Sequence, residues 1–203
     1  MKKATSWIKH GAALALGFSL LPAAQAQSWW KPPVNLSWQW QLKGTVNTSY
    51  NVAAYDIDLF DTPQSTINAL HTQGRKVICY FSAGSSEDWR PDYSRFQAAD
   101  KGNNLDGWPG EKWLDTRSAN VRAIMLSRLD LARSKGCDGV EPDNVDGYTN
   151  GTGFPLTSAT QIDYNKYIAN AAHARGLAVG LKRRGSARDA GTLLRLRAQR
   201  AVQ

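Results

Sequence analysis

Two periods organise the apolar positions of this chain. Trp38-Gln-Trp-Gln-Leu42 alternates aromatic and polar residues every second position, the period of a half-buried strand. Trp38, Trp40 and Leu42 then share a face, either packed in a core or offered to a ligand as an aromatic platform. In residues 52–61, Asp56 and Asp58 fall on one side of an extended backbone and Ile57 and Leu59 on the other. That pattern fits a solvent-facing surface strand or a strand ending at a polar rim. Residues 75–84, Arg-Lys-Val-Ile-Cys-Tyr-Phe-Ser-Ala-Gly, are almost continuously apolar at the centre, as in a strand covered on both faces. Residues 137–140 and 177–182 read as two further short strands.

Helical spacing fills the gaps. Pro63 opens a helix carrying Ile67, Leu70 and His71, and Gly74 closes it. Residues 120–135 place Val121, Ile124, Met125, Leu129 and Ala132 on one stripe, with Arg122, Arg128 and Arg133 expected outside. A third helix runs from Thr157 or Ser158 to Arg175, with Ile162, Tyr164, Ile168 and Ala172 near one stripe. Strand and helix alternate, which predicts a parallel α/β protein. The stretch from Ser85 to about Asp115 is too long for a simple connection and predicts a small structure of its own that walls a substrate.

Three successive strand ends carry polar groups: Asp56 and Asp58; Ser82 and Glu87; Glu141, Asp143 and Asp146. A parallel barrel gathers the carboxyl ends of its strands on one face, where ligands bind. The last group lies in Gly136-Cys-Asp-Gly-Val-Glu-Pro-Asp-Asn-Val-Asp-Gly-Tyr148. Taken alone, this acid run also fits an Asp/Asn-rich turn, empty or holding a calcium ion.

Charge and targeting refine the picture. Residues 1–26 hold a basic start, a short apolar run and Ala24-Gln-Ala26, which predicts a secretory signal cleaved after Ala26; a retained anchor is the alternative. Export implies a secreted or periplasmic protein, with no membrane attachment after cleavage. The net charge of +8 comes from both ends: three lysines in the leader and six arginines against Asp189 in residues 183–203. Residues 27–182 carry 16 basic and 16 acidic side chains, so nothing in the body argues for nucleic acid. Cys79 and Cys137 are the two cysteines. In an oxidising compartment they form one disulfide, or else stand as two buried thiols in neighbouring strands. Their spacing does not suit zinc, and no cofactor is expected.

Trp38-Gln-Trp-Gln-Leu42, Tyr55-Asp-Ile-Asp-Leu-Phe-Asp61, Val77-Ile-Cys-Tyr-Phe-Ser-Ala-Gly-Ser85, the acid run through Asp146, and Gly180-Leu-Lys182 resemble glycoside hydrolase family 114. These are endo-α-1,4-polygalactosaminidases with a TIM-barrel, (β/α)8, fold. The resemblance covers residues 38–182 and implies hydrolysis within a cationic, galactosamine-containing exopolysaccharide. It implies that Asp143 is one catalytic carboxylate. Asp56, Asp58 and Tyr80 would line the cleft, Lys182 would orient a carboxylate or bond a hydroxyl, and Ser82, Glu87, Glu141, Asp146 and Trp38 would complete it. The family's second carboxyl lies on a later strand, in a segment resembling Asn-Glu-Gln-Cys that this chain does not contain. Composition changes abruptly after Lys182, so residues 27–182 are expected to form only the first half of a barrel, up to five strands. Residues 183–203 are expected to be an Arg-rich tail read out of frame. An inactive remnant that binds polysaccharide, and a tail that binds anionic surfaces, are the alternatives to an active hydrolase.

Overall fold

The structure is a computed structural model and describes residues 28–180. The expected leader over 1–26, Lys182 and the tail over 183–203 lie outside the described residues.

Five parallel strands form the main sheet: β1 (Trp38–Gln41), β2 (Ala54–Asp58), β3 (Lys76–Ser82), β7 (Gly139–Asp143) and β8 (Ala178–Val179). Their order in space is β1-β2-β3-β7-β8, each parallel to its neighbour. Among the described residues the sheet stays open between β1 and β8. Three helices connect its strands: α1 (Gln64–Thr72), α2 (Ala119–Ser134) and α3 (Ser158–Ala174). This is the β/α alternation of a parallel barrel, with the barrel not closed. Each helix is followed by a glycine at positive φ, Gly74, Gly136 and Gly176, the first of them the helix end expected from the sequence. No helix among the described residues is long and apolar enough to cross a membrane.

The two sheet faces divide by residue parity. Tyr55 and Ile57 on β2, Val77, Cys79 and Phe81 on β3, and Val140 on β7 face the helices. There they meet Ile67 and Leu70 of α1, Val121, Ile124, Met125 and Leu129 of α2, and Tyr164 and Ile168 of α3 in one core. The opposite parity, Asp56, Asp58, Tyr80, Ser82, Glu141 and Asp143, points inward. β2 is buried throughout, so Asp56 and Asp58 do not lie on a solvent-facing surface strand. Cys79 and Cys137 are joined by a disulfide spanning 58 residues, on the helix side near the amino end of β7.

Four expectations need correction. Arg128 is not on the outer face of α2: it is 1% exposed and turns into the molecule. Ile162 lies off the buried stripe of α3, at 52% exposed. On the edge strand β1, Trp38 is half-buried, whereas Trp40 is 49% exposed. Finally, β7 does not stop at Val140 but runs through Glu141 and Pro142 to Asp143.

The long stretch after β3 folds into a second, antiparallel sheet of β4 (Ser85–Glu87), β5 (Lys101–Asn104) and β6 (Glu111–Leu114), ordered β4-β6-β5. Asp100 fastens this unit to α2. Its carboxylate accepts from Ser118 Oγ at 2.6 Å, Asn120 Nδ2 at 2.6 Å and the Gln97 amide at 2.8 Å. Ser118 is in turn the N-cap of α2. Burial pushes Asp100 up, but these donors together pull it below the usual carboxylate range. The folded state therefore holds this proton less tightly than the unfolded chain. The stabilisation is present above the ordinary Asp range and disappears as pH falls through the lower, folded value. Asp100→Ala is expected to cost about 2 kcal/mol at neutral pH. The deficit should shrink in urea titrations at progressively lower pH; one that stays constant down to acid denaturation would show that the charge is not what matters.

Candidate active site

Strand register sets the inward groups in rows. Trp40, Asp56, Ile78 and Gly139 form one row across β1, β2, β3 and β7. Asp58, Tyr80 and Glu141 form the next, and Ser82 and Asp143 the last, at the carboxyl ends. Two residues along a strand advance about 6.6 Å, so the acids descend as steps from the rim into the sheet's concave side. Asp56, Asp58 and Asp143 thus come from separate strands onto one face.

Asp143 is held from four directions. Tyr80 Oη donates to its Oδ2 at 2.9 Å, and the Asn144 amide donates to its Oδ1 at 2.8 Å. Its carbonyl accepts from the amides of Ala83 and Gly84. Gly84 must be glycine, because a Cβ there would sit 1.8 Å from the Asn144 carbonyl oxygen. Asn144 itself has φ 58°, a left-handed conformation that asparagine tolerates better than most residues. Burial, then the charge and hydrogen bond of Asp143, then Glu87 and Glu111, push the Tyr80 hydroxyl far above its usual range. Tyr80 therefore keeps its proton and donates a hydrogen bond to Asp143.

The other expected site residues divide. Glu141, 1% exposed, lies beside Tyr80 one row below Asp143, and Asp56 is fully buried in the row beneath. Ser82, also buried, shares a hydroxyl–hydroxyl hydrogen bond with Ser85. Asp146 is half-buried on the turn after β7, where its carbonyl accepts from Thr149 and Asn150. Trp38 lies on the sheet's edge strand.

Asp58 and Glu87 are committed elsewhere. Arg90 clasps Asp58 with both terminal nitrogens, at 2.9 and 2.6 Å, and donates to Glu87 at 2.9 Å. Arg128 pairs with Asp92 at 2.8 and 2.9 Å, donates to the Ser82 carbonyl at 2.6 Å, and approaches Glu87 at 3.8 Å. Phe60 lies against both guanidinium groups, with ring centroids 4.8 and 5.1 Å away. Burial disfavours the Arg90 charge, yet its hydrogen bonds to Asp58 and Glu87 outweigh this and hold it protonated. Burial pushes Glu87 up against the pull of the two arginines. These carboxylates, through Arg90, dock the small sheet onto β2.

The sequence reading missed Arg90, Arg128 and Glu111. Glu111 lies on β6, 7% exposed, and accepts from Ser85 Oγ at 2.6 Å. The sequence holds one usable signal for it: its place between two tryptophans in the loop expected to wall the site.

Among the described residues no group of three or more His, Cys, Asp or Glu is placed to hold a metal ion. What remains is a carboxylate with fixed orientation at the rim of an acidic, concave sheet face.

No curated protein is matched by the chain. The chain is similar to Ega3 of Aspergillus fumigatus, whose crystal structure is a complex with galactosamine. Identity is 57% and the TM-score 0.75, over 77% of this chain and 62% of that one. The glycoside hydrolase domain of PelA from Pseudomonas aeruginosa shares the fold at 16% identity and TM-score 0.55, over 74% of this chain and 60% of that one. The chain thus spans less than two thirds of either relative. The description of glycoside-hydrolase family GH114 fits residues 19–195, and with the carboxylate-lined end of a parallel β/α sheet already in view, the chain belongs to that family.

Proposed function

We propose that this protein is an exported glycoside hydrolase that cleaves α-1,4-linked galactosamine polymers within the chain. Asp143 supplies one of the two carboxyl groups that glycoside hydrolysis uses. The observation that carries this reading is the fixed Asp143 carboxylate, held by Tyr80 on the acidic inward face of a family GH114 sheet. The similarity to Ega3, crystallised with galactosamine, supports an amino sugar as the substrate unit. Electrostatics support it too. Asp56, Asp58, Glu141 and Asp143 all lie on the inward side of the parallel strands. A deacetylated galactosamine polymer is a polycation and is drawn to such a face.

The test is incubation of the full chain with deacetylated α-1,4-galactosamine polymer. Reducing ends should appear while the polymer's length falls quickly and little monomer accumulates. Retained binding of galactosamine oligomers without new reducing ends would make the chain a binding module. Neither binding nor turnover would overturn the proposal.

A further inference from the structure

We infer that Glu111 is a positioning residue for Asp143, acting through Ser85, Ser82 and Asn144. The four side chains come from β3, β4, β6 and the turn after β7, and meet behind the site. Ser85 Oγ donates to Glu111 Oε2 at 2.6 Å. Ser82 Oγ lies 2.6 Å from Ser85 Oγ. Asn144 Nδ2 donates to Ser82 Oγ at 2.9 Å and to Ser85 Oγ at 3.1 Å, and the Ser85 amide donates to Ser82 Oγ at 3.1 Å. Ser82, Ser85 and Glu111 are all buried.

The proton directions in this network follow from its partners. Ser82 Oγ already receives two N–H groups, so its own proton goes to Ser85 Oγ. Ser85 Oγ receives that proton and one from Asn144, so its own goes to Glu111. Every hydroxyl points one way, and the direction requires Glu111 Oε2 to be an acceptor. If Oε2 is protonated, Ser85 must turn its proton back toward Ser82, whose hydroxyl then has no acceptor among these groups. A buried hydroxyl without an acceptor is costly, so the network loosens.

What the network holds is Asn144. Its side chain is anchored by the two serines, its backbone is left-handed, and its amide donates to Asp143 Oδ1. Glu111 therefore reaches the Asp143 carboxylate through three intervening side chains without facing the ligand. The charged and titratable groups around it are Glu87 on β4, Asp143 on β7, Tyr80 on β3 and Arg90. Burial, with the charges of Glu87 and Asp143, pushes Glu111 up against the Ser85 hydrogen bond and Arg90. Falling pH therefore reaches Glu111 above the ordinary carboxylate range.

The experiment compares Glu111→Ala, Ser85→Ala, their double variant and Glu111→Gln in the full chain. The Asn144 amide is expected to exchange with solvent about tenfold faster in each alanine variant, while the Val140 amide, inside β7, is unchanged. Glutamine, which keeps an acceptor for Ser85, should restore at least about half of the lost protection. On the galactosamine polymer, kcat should fall about tenfold with KM changed less than about twofold, and the double variant should be no worse than the poorer single one. Equal acceleration at Asn144 and Val140, or single effects that multiply in the double variant, would overturn the inference. It rests on the proposed hydrolase function only in its kinetic arm. If the wild-type chain releases no reducing ends, that function fails, while amide exchange still decides the role of Glu111.

Discussion

Asp143→Asn is expected to lower reducing-end release from deacetylated galactosamine polymer by about a thousandfold, the scale on which a positioned carboxylate contributes to proton transfer or nucleophilic attack. The substitution is well suited to the question because it changes little else. An asparagine Oδ1 can still accept from Tyr80 or from the Asn144 amide, and the carbonyl still accepts from Ala83 and Gly84. The melting temperature should therefore move by no more than about 3 °C. Oligomer binding should weaken by less than turnover does, because the neighbouring acids remain. A variant that keeps more than about a tenth of wild-type turnover would remove Asp143 from the chemistry, since general acid–base residues contribute at least about a hundredfold.

Arg90→Met is expected to cost about 4 kcal/mol and lower the melting temperature by on the order of 10 °C. Arg90 and its partners Asp58 and Glu87 are each 5% exposed or less in their side chains. Methionine fills much of the same space but leaves two carboxylates of like charge buried together. The loss is thus mainly the cost of the stranded charges, and removing one should recover part of it. Glu87→Gln placed on Arg90→Met is predicted to be more stable than Arg90→Met alone. Salt should change the loss little, because buried pairs are weakly screened. By contrast, Asp130→Ala, which breaks a pair whose acid is 65% exposed, should barely move the urea midpoint. A loss below about 1 kcal/mol for Arg90→Met would show that water reaches the cluster freely.

The sequence made the parallel sheet legible because buried parallel strands and amphipathic helices leave strong periodic traces. Residues 75–84 and the stripe from Val121 to Ala132 fix β3 and α2 almost unaided, and the glycines mark where the helices stop. Gathering Asp56, Asp58 and Asp143 on one face follows from parity once the strands are parallel. The antiparallel sheet was not legible. Ser-Ser-Glu, Lys-Gly-Asn-Asn and Glu-Lys-Trp-Leu are too short and too polar to carry a two-residue period. Arg128 was placed outside α2 because arginine is rarely buried whole, and its partners, Asp92 and the Ser82 carbonyl, are 36 and 46 residues away. Asp58 matched the pattern of a cleft residue for the same reason: nothing local shows that Arg90, 32 residues later, will occupy it. Periodicity reports which face a residue takes; it does not report which distant side chain meets it there.

The Cys79–Cys137 bridge lies on the helix side of the sheet, away from the rim that carries Asp143. Losing it in a reducing medium would shorten the lifetime of the folded chain without touching the Tyr80–Asp143 contact. Durability and the geometry of the rim are therefore separable: a thiol reagent should age a stock of the protein while each surviving molecule keeps that geometry.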